Sequence, residues 1–315
     1  MNKIKIIFFG TPFFALHSLK ELINANYNVV GIVTAPDKPK GRGLKLKPSE
    51  IKRFAIKKSI PYFQPTNLKD KIFISSLKKL NANLFVVVAF RKLPTIIWQI
   101  PKKGTINLHT SLLPNYRGAA PMNWVIINGE TETGVSTFFI NENIDCGNII
   151  AQKKVKIPNS YNVGFLHDKL MHIGSDILLE TVKQIENGIE NSIKQTFSNE
   201  LKNAPKLTKK NCKIEWNNSI EKIHNLIRGL SPYPAAFTKL QNNSKNYILK
   251  IYDATPIKSS VKNNYGKIEI SNTELIIWAL DGYLKINELQ ISGKKRMKAS
   301  SFLNGFNFTK NCKIS

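Results

Sequence analysis

Long apolar runs, paired cysteines and acidic residues are all scarce in this sequence of 315 residues. No apolar run approaches the roughly 20 residues that a membrane-spanning helix needs, and the first residues lack the pattern of a signal peptide. The three cysteines lie far apart, which argues against a zinc site and a disulfide framework: Cys146, Cys212 and Cys312. We therefore expect a cytoplasmic, monomeric protein with reduced thiols, no bound metal and no membrane partner.

The scarcity of acidic residues leaves a large positive charge. The sequence has 47 Lys and Arg against 21 Asp and Glu, which gives a formal net charge of +26. Such an excess favours a polyanionic partner such as RNA. Only six of the basic residues are arginines, and lysine, asparagine and isoleucine are all abundant, a composition that AT-rich coding also produces. Charge therefore favours a nucleic-acid partner without establishing one.

The first part of the chain alternates short β-rich runs with helical patterns. This alternation predicts an α/β domain with a doubly wound, mainly parallel sheet of the Rossmann-like kind over residues 1–189. The polar, weakly patterned residues 190–207 are interpreted as a linker. Residues 208–315 contain a helical pattern followed by short β runs with turn residues between them, which predicts a small, OB-like β-barrel.

An unusually long loop follows the second β run. Its residues 36–48 are rich in proline, glycine and basic side chains, whereas a connection from strand to helix commonly has about 2–6 residues. Ligands bind beyond the carboxyl ends of the strands in a doubly wound sheet, and this loop lies at that end. A solvated charged loop is the alternative interpretation, but the length and position favour a function.

Polar side chains collect where a later β run ends. Asn107, His109 and Ser111 alternate along this run, so they are expected on one face at its carboxyl end. Asp145 follows the next β run, and a carboxylate there can hydrogen-bond an imidazole and fix its orientation. A lone histidine on a strand is more often structural, and a lone Asp-x-Gly is usually a turn. Their combination favours a reaction site.

These motifs resemble the signature of the folate-dependent formyltransferases. The similarity rests on Asn107-x-His109-x-Ser111-Leu112-Leu113-Pro114 with Tyr116-Arg117-Gly118, and on Asp145-x-Gly147. Further segments are similar to the branch of the family that acts on methionyl initiator tRNA: 10–15, 36–43, 206–208, 214–216, 227–234 and 293–297. The resemblance covers essentially the whole chain. Its ordered combination is highly specific, although each short piece is not.

The resemblance implies 10-formyltetrahydrofolate as the formyl donor and the amine of methionyl initiator tRNA as the acceptor. Attack of the amine on the formyl carbon develops negative charge on the formyl oxygen. Asn107 and protonated His109 would donate hydrogen bonds to that oxygen. Asp145 would hold His109 in place and help to remove the proton of the amine, directly or through water. The chemistry needs no metal and no covalent enzyme intermediate.

The resemblance also implies two binding surfaces. The reduced folate would contact Ser111, Leu112, Leu113, Pro114, Val86 and Phe90. The tRNA would contact the basic loop, with Arg42 at its terminal base region, and lysines that hold its phosphate backbone: Lys38, Lys40, Arg42, Lys45, Lys47, Lys206, Lys209 and Lys210. Arg91, Lys92 and Cys146 depart from the common family pattern, which leaves the pocket wall and the kinetic efficiency open.

Four alternatives remain open at this stage. A formyltransferase with a small amine substrate, or a hydrolase of the folate itself, would share the same polar residues but would not need the basic loop or the barrel. A dinucleotide-dependent oxidoreductase fits a β-α-β start, but the first turn is Gly10-Thr11-Pro12 instead of G-x-G-x-x-G. A noncatalytic RNA-binding protein would explain the charge but gives no reason for the polar constellation.

Overall fold

The computed structural model of the protein describes residues 4–39, 46–196, 198, 200–260, 264–271, 273–309 and 311–314. The chain forms two compact units that interleave along the sequence. Unit 1 comprises Met1–Gly118, Thr133–Lys156 and His167–Asn203, and unit 2 comprises Ala119–Glu132, Ile157–Leu166 and Ala204–Ser315. The division into residues 1–189, 190–207 and 208–315 stays a prediction, and no sequence pattern had indicated the interleaving.

Unit 1 is built on a seven-stranded sheet. From edge to edge its strands are Ile149–Lys156, Glu132–Phe139, Thr105–His109, Leu84–Val88, Lys5–Gly10, Asn28–Val33 and Tyr62–Phe63. The last five of these pair in parallel, whereas Glu132–Phe139 runs antiparallel to Thr105–His109. The predicted doubly wound, mainly parallel α/β sheet is therefore confirmed.

The strand order reverses around the first strand. Lys5–Gly10 has Asn28–Val33 on one side and Leu84–Val88 on the other, so the chain switches direction across the sheet at this point. Leu84–Val88 is buried along its whole length, as a central strand covered on both faces must be. A crevice at the carboxyl ends of these strands is the place where such sheets bind ligands.

Two helices of unit 1 begin at a side-chain cap. The Ser49 side chain accepts a hydrogen bond from the Lys52 amide, and the Asp70 side chain does the same for Phe73. The helices are Phe13–Asn24, Glu50–Lys57, Lys71–Lys79, Thr95–Trp98 and Val163–Asn187, of which the last contributes its first four residues to unit 2. No helix in the described part of the chain has both the length and the apolar character needed to cross a membrane.

Unit 2 contains the predicted antiparallel barrel, which is nearly closed. Its strands are Ala236–Asn242, Lys245–Lys258, Ile268–Ile270, Leu275–Ala279, Gly282–Ile291, Met297–Lys298 and Lys313–Ile314. Its helices are Pro121–Ile127, the 3₁₀ turn Lys210–Cys212, Ile220–Leu230 and Ala299–Leu303. Ile220–Leu230 corresponds to the helical pattern predicted within residues 208–315, and it packs its apolar face into the barrel core. The helices Pro121–Ile127 and Ala299–Leu303 were not predicted.

Candidate active site

His109 ends a central strand of unit 1 and is almost fully buried, with 6% of its surface exposed. Its Nε2 lies 2.9 Å from the Tyr116 carbonyl oxygen. A carbonyl oxygen can only accept, so Nε2 carries a proton and donates it. Its Nδ1 lies 3.8 Å from the Asp145 carboxylate oxygen Oδ2. The ring is therefore held by the Tyr116 backbone on one side and faces a carboxylate on the other.

Asp145 lies in the loop between Glu132–Phe139 and Ile149–Lys156. Its backbone has a φ of +55°, a left-handed conformation that aspartate tolerates better than most residues. Its Oδ2 accepts a hydrogen bond of 2.9 Å from the Gly118 amide. The distance of 3.8 Å to His109 exceeds hydrogen-bond length, so the contact between the two side chains is electrostatic. The structure brings these two predicted residues together.

Asn107 lies two residues before His109 on the same strand and is half-buried. Because strand side chains alternate, the two residues share a face of the sheet, as predicted. The side-chain amide of Asn107 makes no hydrogen bond to any residue that the structure describes. The site therefore contains an amide donor at the strand end that is not occupied by a described protein partner.

Ser111 lies beyond the end of the strand, where the alternation that predicted its direction no longer applies. It is fully buried, and its hydroxyl donates to the Asn115 carbonyl at 2.7 Å. The Ser136 hydroxyl donates to the Ser111 carbonyl at 2.6 Å and accepts a hydrogen bond of 3.1 Å from the Leu113 amide. Ser111 thus contributes to the folding of this loop, and its contact with folate stays a prediction.

The other predicted folate residues differ in exposure. Leu113 and Val86 are buried, and Val86 has no exposed surface. Leu112, Pro114 and Phe90 are half-buried. The Phe90 ring packs edge-on against Phe9, with the ring centroids 5.7 Å apart. Phe90 also follows directly after Leu84–Val88 and Ala89, at the switch point of the sheet. These positions are compatible with a pocket wall, and the assignment remains a prediction.

Two residues outside the predicted site support its loops. The Arg117 guanidinium donates from Nε to the Asp145 carbonyl at 3.1 Å and from Nη2 to Gln195 Oε1 at 2.5 Å. Gln195 is buried, with 4% exposure, and donates to the carbonyls of Asp145 and Gly147. Arg117 belonged to the recognised motif, but no signal in the polar segment 190–207 distinguished Gln195.

The described ends of the basic loop pair with each other. Lys38–Pro39 and Leu46–Lys47 form a short antiparallel ladder that places the exposed Lys38 opposite Lys47. The predicted contacts Lys40, Arg42 and Lys45 lie outside the described residues. At the base of the loop, hydrogen bonds from Lys52 and then Gln64 lower the pKa of the Asp37 carboxyl group below its ordinary 3.8. The Lys52 Nζ lies 2.6 Å from Asp37 Oδ2.

The remaining predicted tRNA contacts lie in unit 2. Lys206, Lys209 and Lys210 are all exposed, and the first two precede the 3₁₀ turn Lys210–Cys212. Their ammonium groups are therefore accessible to a phosphate backbone. The described residues contain no group of three or more histidine, cysteine, aspartate or glutamate side chains that could hold a metal ion.

The geometry agrees with what sequence comparison finds. The family model described as "Formyl transferase" matches residues 2–182, and the model described as "Formyl transferase, C-terminal domain" matches residues 206–307. The chain belongs to the formyl transferase family. Both halves of this formyl transferase are therefore accounted for, and the family-level resemblance drawn from the motifs is confirmed.

Relatives similar over their whole length carry one name. The chain is 49% identical over 314 residues to the methionyl-tRNA formyltransferase of Flavobacterium johnsoniae, and covers 100% of both chains. It is 47% identical to the enzyme of that name from Flavobacterium psychrophilum, over 98% of each chain. For the one from Bacteroides thetaiotaomicron, the identity is 43% over 99% of this chain and 98% of the relative.

Two solved structures with a similar fold carry formyltransferase names. The sugar 3N-formyl transferase WlaRD, solved with dTDP and 5-N-formyl-THF, has a TM-score of 0.65 at 23% identity and covers 94% of this chain and 100% of its own. The N-formyltransferase of Helicobacter canadensis, in complex with folinic acid and dTDP-3-aminofucose, has a TM-score of 0.64 at 21% identity, covering 90% and 98%. At these identities the likeness concerns the fold alone.

Proposed function

We propose that this formyl transferase moves the formyl group of 10-formyltetrahydrofolate to the amino group of methionyl initiator tRNA and yields formylmethionyl-tRNA and tetrahydrofolate. One structural observation carries the proposal. The buried imidazole of His109 faces the carboxylate of Asp145 at the end of the strand Thr105–His109, and the half-buried amide of Asn107 lies on the same face of that strand. The full-length similarity to enzymes named methionyl-tRNA formyltransferase supports the choice of acceptor.

Asn107 is suited to stabilise the charge that develops on the formyl oxygen. Its amide donor is already fixed on a rigid strand and makes no hydrogen bond to a described residue, so it does not have to give up a partner during the reaction. Donors aimed at developing charge contribute about 3–4 kcal/mol each in acyl-transfer enzymes. This role requires the formyl oxygen to lie within hydrogen-bond distance of the Asn107 side chain.

His109 would act as a second donor to the same oxygen. Its Nε2 donates to the Tyr116 carbonyl at 2.9 Å. To donate to the formyl oxygen, Nε2 must first break this hydrogen bond. The Asp145 carboxylate, 3.8 Å from Nδ1, faces the other nitrogen of the ring. Catalytic hydrogen bonds commonly tighten only when the substrates are in place.

Asp145 would accept the proton of the attacking amine, directly or through one water. Its Oδ2 is bonded to the Gly118 amide at 2.9 Å. Its Oδ1 accepts no hydrogen bond from the residues that the structure describes. The carboxylate thus has one oxygen anchored to the backbone and one available for the proton, a division of roles suited to a positioned general base.

The acceptor would be bound through its phosphate backbone and its terminal bases. Lys206, Lys209 and Lys210 supply exposed positive charge, and Lys38 and Lys47 mark the paired ends of the basic loop. Such contacts position a nucleic acid without reading its sequence. Arg42, in the same loop, would contact the terminal base region. A formyl transferase with a small amine substrate has no use for these groups.

The test is transfer of labelled formyl from 10-formyltetrahydrofolate to methionyl initiator tRNA by the native protein. We expect formylmethionyl-tRNA to form, His109→Ala to lose turnover, and Arg42→Ala to raise the KM for tRNA. Each variant is compared with native protein for tRNA binding, which His109→Ala should retain. Formyl transfer to a small amine or to water, with none to tRNA, would contradict the proposed acceptor while leaving the family unchanged.

A further inference from the structure

We propose that Gln195, together with Arg117, is a positioning residue that fixes Asp145 relative to His109 and so sets the rate of formyl transfer. This inference rests on the proposed function. Gln195 lies 50 residues after Asp145 in the sequence and is 4% exposed. Among the described residues, its hydrogen bonds go to Arg117 and to backbone carbonyls, and none goes to the side chain of Asn107, His109 or Asp145. Its effect on the reaction would be exerted entirely through the backbone of the Asp145 loop.

The Gln195 amide uses its full hydrogen-bonding capacity within this loop. Its Nε2 donates to the Asp145 carbonyl at 3.0 Å and to the Gly147 carbonyl at 2.7 Å. Its Oε1 accepts from Arg117 Nε at 3.2 Å and from Nη2 at 2.5 Å. The two amide hydrogens are thus donated to two carbonyls, and the amide oxygen accepts hydrogen bonds from a guanidinium. A flipped amide would face like groups at every contact, so the orientation is determined by the network.

The loop needs such external support because its own backbone is constrained. Asp145 is left-handed, with φ at +55°, a conformation that L residues adopt only at a cost. Two residues later, a Cβ on Gly147 would lie 1.5 Å from the Phe139 carbonyl oxygen, so only glycine fits. The carbonyls of Asp145 and Gly147 on either side of Cys146 are the two that Gln195 binds. The side chain thus clamps the turn from both ends.

Arg117 connects the same clamp to the other side of the site. Its guanidinium donates to the Asp145 carbonyl at 3.1 Å, while the next residue, Gly118, donates its amide to Asp145 Oδ2 at 2.9 Å. The preceding residue, Tyr116, provides the carbonyl that holds His109. Three consecutive residues therefore hold the site: Tyr116 binds the imidazole of His109, Arg117 binds the backbone of Asp145, and Gly118 binds its carboxylate. Gln195 binds the side chain of Arg117, the middle residue of the three.

The prediction is that removing the Gln195 hydrogen bonds displaces Asp145 more than it unfolds the protein. Gln195→Met retains the volume of the side chain and removes all four hydrogen bonds. Gln195→Glu retains the acceptor for Arg117 but turns a carboxylate toward two carbonyl oxygens. A misplacement of about 1 Å can lower a rate about 10²-fold. We expect kcat to fall on this order in both variants, with the KM for folate and for tRNA nearly unchanged.

Thr181→Val is the control for the loss of buried hydrogen bonds. Thr181 is fully buried in unit 1, and its hydroxyl lies 2.7 Å from that of Thr137. This variant should lower the melting temperature without lowering kcat. Gln195→Glu should do the reverse, because its ion pair with Arg117 maintains stability. If kcat follows the melting temperature across all three variants, Gln195 is merely structural and the proposal is wrong.

A second readout separates this inference from the proposed substrate. The imidazole resonances of the five histidines are followed by NMR in selectively labelled protein, and the His109 signal is assigned by its loss in His109→Ala. Gln195→Met should shift the His109 signal, and Thr181→Val should not. A shift in a protein that does not formylate methionyl-tRNA would support positioning and refute the acceptor. An unmoved signal with unchanged kcat would overturn the positioning role.

Discussion

The imidazole of His109 and the carboxylate of Asp145 lie 3.8 Å apart, each anchored to the backbone of one short segment. Tyr116 holds the imidazole through its carbonyl at 2.9 Å, and Gly118 holds the carboxylate through its amide at 2.9 Å. The conformation of residues 116–118 therefore contributes to this separation. Substitutions that retain these anchors can probe the chemistry of each group without collapsing the site.

Replacing Asp145 by Asn should abolish most of the formyl transfer. The amide oxygen of Asn can still accept the Gly118 hydrogen bond, so the loop is retained, but the group can no longer take a proton. General-base catalysis contributes typically about 10²–10⁴-fold, and we expect kcat to fall in that range. Steady-state kinetics with saturating methionyl-tRNA measure it. An Asn variant with native kcat would show that Asp145 is not the base.

Asn107→Ala should lower kcat with little effect on either KM. Loss of a single donor to developing negative charge typically lowers kcat about 10²–10³-fold, because the interaction is strongest in the transition state. The side chain makes no hydrogen bond to the described residues, so the melting temperature should stay close to the native value. A large rise in the KM for folate at constant kcat would instead assign Asn107 to ground-state binding.

The three exposed lysines at the start of the C-terminal family match should contribute to tRNA affinity through phosphate contacts. A triple variant combines Lys206→Ala, Lys209→Ala and Lys210→Ala. Its tRNA dissociation constant should be higher than that of the native protein and should depend less steeply on salt concentration, because each phosphate contact steepens the salt dependence of binding. The control removes three other exposed lysines, Lys71, Lys78 and Lys79, from one helix. Equal loss in both triple variants would mean that only net charge matters.

The base of the basic loop should influence tRNA binding through Asp37. Lys52 Nζ lies 2.6 Å from Asp37 Oδ2, and Gln64 Nε2 donates to Asp37 Oδ1 at 2.7 Å. Lys52→Met removes the charge that fixes Asp37 beside the Lys38–Pro39 strand. We expect the KM for tRNA to rise severalfold and kcat to stay unchanged. Lys57→Met, at the end of the same helix, serves as the control, and an equal effect there would contradict a local role.

Stability should decline on mild acidification, in part through His17. Burial, followed by the neighbouring His172, lowers the pKa of His17 below 6.5. The unfolded chain therefore binds this proton more readily, so the stability from His17 is present above pH 6.5 and is lost as pH falls through the lower folded pKa. The unfolding temperature of His17→Gln should fall less steeply than that of the native protein between about pH 7 and pH 5. Parallel slopes would contradict this assignment.

Much of the fold could be predicted because its signals are local in sequence. The β-branched runs Leu84–Val88 and Thr105–His109 alternate with helical patterns, and that alternation alone requires a parallel sheet. Asn107 and His109 were predictable for the same reason, since side-chain alternation on a strand is fixed. The helix Pro121–Ile127 has proline at its start, which is a helix signal, but it is short and continues a loop that is itself rich in glycine and proline.

The support of the site was not predictable from the sequence. Gln195 contacts Asp145 across 50 residues, and its surroundings have no hydrophobic period that would place it. For Val86, by contrast, the strand was predictable but the contact with a ligand was not. Its run predicted a strand correctly, but a central strand is covered on both faces, so sequence cannot say which of its residues reaches a ligand. Long-range hydrogen bonds and exposure depend on tertiary packing, which no short pattern contains.

The interleaving of the two units bears on how such a chain can be recombined. Asn123, on the helix Pro121–Ile127, donates to the Gly229 carbonyl at 2.8 Å, and Ile127 packs against the core of the barrel unit. Arg228 in turn donates to the Tyr161 carbonyl at 3.2 Å. A chimera that exchanges only residues 204–315 with a relative would therefore join a barrel to foreign partners at 119–132 and 157–166. A chimera that keeps the barrel unit intact must therefore exchange all three segments of unit 2 at once.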